Sequence, residues 1–100
     1  MAELRLSPEA NADLEDITVY SLGHFGRATA DRYLSAFESA FEILERYPES
    51  GAVYPGIVPD VRWTRCGSHR IFYRVEKDIV AVVRVLHFAR DAKLAFSSQH

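Results

Sequence analysis

Between Ala30 and Leu44 the apolar residues fall at Ala30, Tyr33, Leu34, Phe37, Ala40, Phe41 and Leu44. Spacings of three and four put them on one stripe of an α-helix, and so wide a stripe is buried against other elements. Pro48 ends that helix. Upstream, Ser7-Pro8-Glu9 is a helix start. It offers a capping hydroxyl, a proline whose missing N–H costs nothing in the first turn, and an acid at the positive end of the helix dipole. The helix it opens turns Ala10, Leu14 and Ile17 inward with Tyr20 at the edge. It runs out in Leu22-Gly23-His24-Phe25-Gly26, where two glycines permit a reversal. Ahead of it, Glu3-Leu4-Arg5-Leu6 alternates, the period of a short strand.

The second half changes period. Residues 48–60, PESGAVYPGIVPD, carry three prolines and two glycines and read as an ordered loop without regular structure. Val61 to Arg65, His69 to Val75 and Ile79 to Phe88 then alternate as three strands. The tail ARDAKLAFSSQH adds a helical turn. The order β-α-α-β-β-β makes a single α+β domain over residues 1–100, a helical hairpin packed on one face of a mostly antiparallel four-stranded sheet.

Which residues face the hairpin depends on the turns, because a one-residue slip sends every side chain to the other side. A three-residue turn at Glu76-Lys77-Asp78 pairs Val75 with Ile79, Tyr73 with Ala81, Ile71 with Val83 and His69 with Val85, and the odd-numbered face is then almost wholly apolar. A two-residue turn sets Ile71 against Arg84 and buries an unpaired guanidinium. The three-residue turn is therefore expected. The same closure at Cys66-Gly67-Ser68 puts Trp63 opposite Ile71 and Val61 opposite Tyr73, beneath the helices. Arg62, Thr64, Arg70, Phe72, Arg74, Val80, Val82, Arg84 and Leu86 then face away from them, with Arg70 opposite Arg84. An exposed apolar patch framed by arginines suits a partner. The expected partner-binding residues are Arg62, Arg70, Phe72, Arg74, Val80, Val82, Arg84 and Leu86, with Arg90 beyond the last strand. The alternative is a solvated face whose arginine stems cover the apolar strands.

Charge sharpens that expectation. The formal net charge of −2 hides ten acids against four arginines in residues 1–50 and four acids against eight basic residues in 51–100. An acidic layer and a basic layer follow, and the basic one attracts acidic partners. With 48% hydrophobic and 26% charged residues the chain is of the globular class. No apolar run approaches the roughly 20 residues of a membrane span. MAELRLSPEA has no apolar signal core, and the single Cys66 forms no internal disulfide, so the cytoplasm is the expected location.

Candidate chemistry gathers at one end of the sheet. Arg65, His69 and His87 could supply a general acid or base and an oxyanion clamp for phosphodiester cleavage, although a strand-end histidine is commonly a structural group. His24, His69, His87 and His100 show no metal-ligand spacing, and Cys66 has no partner cysteine, so no metal is expected. Gly23 and Gly26 separate two helices instead of following a strand, which excludes a phosphate loop; no cofactor is expected. Ser68 beside His69 is not read as a nucleophile–base pair, since adjacent strand residues point to opposite faces.

Taken together, LSPEANADLEDI (6–17), the helix ending in YPESG (47–51), SHRIFYRV (68–75) and VVRVLHFARD (82–91) resemble the ParE branch of the RelE/ParE superfamily of toxin–antitoxin toxins. The resemblance implies a toxin neutralised by a cognate antitoxin, ParD-like or similar, that poisons DNA gyrase by binding and is not itself an enzyme. Direct nucleic-acid binding by the chain alone is not implied. The runner-up is the RelE branch, which cuts messenger RNA in the ribosome; Arg65, His69 and His87 would be the counterparts of its basic and histidine residues. The chain departs from that branch in having only Lys77 and Lys93 as lysines and in ending FSSQH. A third possibility is an antitoxin-binding module without toxicity.

Overall fold

In the computed structural model, which describes residues 1–97, the chain forms strand β1 (Glu3–Leu6), helices α1 (Pro8–Phe25) and α2 (Arg27–Arg46), strands β2 (Ala52–Val53), β3 (Arg62–Cys66), β4 (His69–Glu76) and β5 (Ile79–His87), and a short helix α3 (Ala92–Ser97). The strands make one sheet in the order β1-β5-β4-β3-β2, and only the β1–β5 pair is parallel. The α+β architecture is the expected one, but the sheet has five strands, not four. β2 lies inside the segment read as a loop, where two residues are too few for alternation to register. No helix among the described residues is long and apolar enough to cross a membrane.

The hairpin follows from local chemistry. Ser7 Oγ accepts the Ala10 N–H at 2.9 Å and donates to the Val83 carbonyl at 2.9 Å, so the cap of α1 also ties it to β5. The helix continues through Gly23, and Gly26 alone makes the reversal. At a φ of 83° it ends α1 with its N–H on the Leu22 carbonyl and begins α2 with its carbonyl on the Ala30 N–H. A β-carbon is strained in that conformation. From α2, Ala30, Phe37 and Leu44 are buried, with Tyr33, Ala40 and Phe41 partly covered, which is the stripe read from the sequence.

Both β-hairpin turns contain two residues, not three. Cys66 pairs with His69 around Gly67-Ser68, and Glu76 with Ile79 around Lys77-Asp78. Left-handed residues open them, Gly67 at φ 59° and Lys77 at φ 55°, as turns this tight require. The physical objection to a two-residue turn was Arg84 set against Ile71. The chain answers it with a β-bulge: Tyr73 pairs with Val82 and Phe72 with Arg84, leaving Val83 as an extra residue. Beyond the bulge the facing of β5 reverses, and Ile71 meets Val85. Val80 and Val82 on one side of the bulge and Val85 on the other therefore all point at the helices, with Ile71, Tyr73 and Cys66.

This register corrects the expected arginine-framed patch. Val80 and Val82 lie in the main core, while Val61 and Trp63 lie on the opposite face with Phe72, Val83 and Leu86. Phe72 and Leu86 do point away from the hairpin, yet they are only 0% and 2% exposed. A second layer covers them, built from Tyr54 and Ile57 of the loop and from Ala92, Ala95 and Phe96 of α3. Arg70 pairs with Leu86, not Arg84, and is itself buried. Its Nη2 donates to the Arg90 carbonyl at 2.8 Å, and its guanidinium carbon stands 4.6 Å from the Phe88 ring centroid and 5.3 Å from that of Phe72. A weakly hydrated, planar cation tolerates such an aromatic box, and here it fastens the turn before α3 to the sheet. Arg74 is half-buried beside Phe96, and Arg62 donates to the Glu49 and Gly51 carbonyls. Arg90 is exposed.

Arg84 turns toward α1. Its Nε and Nη2 grip the Asp13 carboxylate at 2.8 and 3.0 Å, and the same carboxylate accepts the Val85 N–H at 2.9 Å. β1 ends opposite Val82, so the rest of that edge of β5 lacks a strand, and Asp13 supplies the missing acceptor. Its hydrogen bonds to the guanidinium hold the Arg84 pKa above its usual value.

Candidate functional site: a histidine-floored cleft

Where β4 begins and β5 ends, His69 pairs with His87, their rings 5.3 Å apart and nearly perpendicular. The Gly26 end of the helical hairpin stands over them, leaving a cleft of ≈ 780 Å³. One wall is α1, with Ile17, Tyr20 and Phe25; the other is α2, with Arg32 and Tyr33. A volume of this size is in the range of about 300–1,000 Å³ typical of ligand pockets.

Tyr33 organises the floor. Its hydroxyl lies 2.6 Å from His69 Nδ1, accepts the Ser68 N–H at 3.0 Å and is 3.1 Å from the Cys66 carbonyl. The ring packs directly on the β3–β4 turn, where a β-carbon at Gly67 would overlap it. Glycine is thus required at Gly67 twice, for its positive φ and for the close approach of Tyr33. Burial, and then the neighbouring His87, push the His69 pKa below its ordinary value, against a smaller pull upward from Asp13. His69 is accordingly neutral at neutral pH. The single phenol proton goes to the Cys66 carbonyl, so His69 Nδ1–H donates to the Tyr33 oxygen across the 2.6 Å contact, and Nε2 of the neutral His69 ring carries no proton. His87 accepts the Ala89 N–H at Nδ1, 3.1 Å away, which in the neutral ring puts its proton on Nε2.

The three residues expected to work together do not all meet. Arg65 belongs to the other face of the sheet, where its guanidinium lies 4.4 Å from the Phe88 centroid and its Nε donates to the Gly67 carbonyl. Only His69 and His87 share the cleft. Ser68, read as pointing away from His69, sits in the turn with its Oγ 3.5 Å from Nδ1, too long for a useful hydrogen bond. Cys66 is buried, and burial raises its pKa, so it behaves as a core thiol. Among the described residues no group of three or more His, Cys, Asp or Glu side chains is placed to hold a metal; His100 lies outside the described residues. Tyr33 was read as part of a core stripe, and Tyr20, Phe25 and Arg32 were not singled out for function. A hydroxyl-tipped aromatic at the end of an apolar stripe, with a glycine in a turn far along the chain, was the available signal for Tyr33.

The chain matches over residues 4–92 the family described as ParE toxin of the type II toxin–antitoxin system, parDE. Toxin ParE1 of Caulobacter vibrioides is 34% identical over 93 residues, 93% of this chain and 96% of that protein. Toxin ParE1 of Mycobacterium tuberculosis is 37% identical over 87 residues, covering 86% and 89%. Among solved structures, the chromosomal ParDE system of P. aeruginosa superposes with a TM-score of 0.74 at 22% identity, over 87% of this chain and 96% of that one. The RelBE2 toxin–antitoxin complex of M. tuberculosis does so with a TM-score of 0.63 at 24% identity, over 86% and 96%. At those identities the two structures speak for the shared fold. The family match and the curated relatives span nearly the whole domain, and the chain belongs to the ParE toxins of type II toxin–antitoxin systems.

Proposed function

We propose that this chain is held inactive by a cognate ParD-like antitoxin and, when free in the cytoplasm, acts by binding DNA gyrase, without catalysing a reaction. The observation that carries this reading is the match to the ParE family over residues 4–92. The place of Arg65 supports it: phosphodiester cleavage calls for a cation beside the acid–base groups, and the sheet separates Arg65 from His69 and His87. The partner is supported by the similar M. tuberculosis structure being a toxin–antitoxin complex.

Ribosome-dependent RNA cleavage is the second reading, and the Tyr33–His69 contact with Arg32 in the same cleft favours it. Purified protein, with and without antitoxin, added to gyrase supercoiling and DNA-cleavage assays and to translating ribosomes separates the two. Stalled gyrase cleavage complexes relieved by antitoxin are expected. Cleaved transcripts with gyrase untouched would overturn the proposal, and no effect in either assay would point to an antitoxin-binding module without toxicity.

A further inference from the structure

The cleft opens onto apolar surface that none of the described residues covers. Tyr20 and Phe25 at its mouth are 57% and 61% exposed. Tyr20 stacks on His24 with centroids 3.8 Å apart and meets Phe25 edge-on at 6.2 Å, forming an aromatic lip. An exposed aromatic cluster at the mouth of a pocket is uncommon on a protein that works alone.

The floor is polar and directional. Each imidazole has its Nδ1 engaged within the chain, His69 with Tyr33 and His87 with Ala89. Among the described residues, neither Nε2 has a hydrogen-bond partner. The Nε2–H of His87, the exposed guanidinium of Arg32 in the same cleft and the Nε2–H that His69 gains on protonation ask for an acceptor. Asp16 on the α1 side repels an anion there. A carboxylate therefore settles on the sheet side, and the apolar part of the same guest lies against the helices.

We propose that this cleft seats an anchor of the antitoxin: an aromatic or branched apolar side chain entering between Tyr20, Phe25 and Tyr33, with a carboxylate of the same segment reaching the Nε2 edges of His69 and His87. The assignment rests on the reading of this chain as an antitoxin-bound toxin. Its charge logic has a sign. The charged and titratable groups around His69 are Asp13, Asp16 and Tyr20 on α1, Arg32 and Tyr33 on α2, Cys66 on β3 and His87 on β5. A guest carboxylate adds a negative charge to them and favours the imidazolium, so the complex takes up a proton and tightens as pH falls through the histidine range.

The test uses the full chain and two fragments, 3-phenylpropionate and its uncharged analogue 3-phenylpropanol, followed by imidazole proton–carbon NMR. The acid is expected to shift His69 and His87, and to bind about fivefold more tightly than the alcohol near pH ~6, the scale of one partly solvated charge-assisted hydrogen bond. His87→Ala, at an exposed position, removes that preference and leaves the alcohol's affinity in place. Tyr20→Ala weakens both. Saturation with the antitoxin abolishes the acid's shifts. Equal affinity for acid and alcohol, or imidazoles that do not move, would overturn the proposed chemistry. Shifts that persist in the antitoxin complex would overturn the proposed occupant. A chain that binds no antitoxin at all sinks the partner reading itself, while the fragment pair still decides the chemistry of the cleft.

Discussion

Replacing Asp13 with alanine removes the acceptor that joins α1 to the strandless edge of β5. Its carboxylate takes two hydrogen bonds from Arg84 and one from the Val85 N–H. Hydrogen bonds to a charged group contribute about 1.5–3 kcal/mol, and a buried donor left unmade costs about 1–3 kcal/mol. The two side chains are 14% and 16% exposed, so water reaches part of the orphaned guanidinium and the lower half of that sum applies. A loss of about 2–4 kcal/mol is expected from a domain whose total stability is on the order of 5–15 kcal/mol. Urea unfolding followed by the fluorescence of the single tryptophan, Trp63, measures it; the midpoint should fall with m unchanged. A cycle with Arg84→Met isolates the pair, with a coupling of about 1–3 kcal/mol. Asp13→Ala costing under about 0.5 kcal/mol, or zero coupling, would mean that the pair behaves as a solvated surface contact. The edge of β5 would then need another explanation.

Three further outcomes are expected. Gly67→Ala forces a β-carbon into the Tyr33 ring at a left-handed φ, and should cost about 2 kcal/mol or more and shift the His69 imidazole resonances, whereas Gly23→Ala, with open space around it, should be neutral or stabilising. Lys77→Gly relieves a left-handed lysine in an exposed turn and should gain up to about 1 kcal/mol after the greater unfolded-chain entropy of glycine is counted; a loss would show that the lysine makes a compensating contact. His69 has its folded pKa depressed below 6.5 by burial. The unfolded chain therefore binds the extra proton, and stability falls as pH drops from above 6.5 down through the folded value. The wild-type urea midpoint should decline over that window more steeply than that of His69→Gln, and parallel curves would contradict the assigned environment.

The helices were legible because their signals are local. Ser7, Pro8 and Glu9 announce the start of α1, and the stripe from Ala30 to Leu44 fixes the buried face of α2. The sheet was harder for a reason its own chemistry supplies. Arg84 does avoid Ile71, as expected, but by a bulge at Val83 inside the strand instead of a longer turn, and no residue type marks such a bulge. From that one residue follow the misplacement of Val80 and Val82 and the turn of Arg84 toward α1, whereas Val61, Arg62 and Trp63 change face through the two-residue turn at Gly67-Ser68. The covering of Phe72 and Leu86 had a weak trace, since Ala92, Ala95 and Phe96 keep helical spacing. The cleft joins residues far apart in the chain, Tyr33 with His69, and no local pattern reports such a meeting.

The parallel seat of β1 beside β5, Glu3 across from Ile79 and Leu6 across from Val82, sets when this molecule can take shape. Within this domain β1 has no strand beside it until β5 has been synthesised, so the sheet closes late in the making of the fold. A chain cut short before Ile79 keeps the helical hairpin for Leu4 and Leu6 to pack on but lacks the strand that satisfies the backbone of β1.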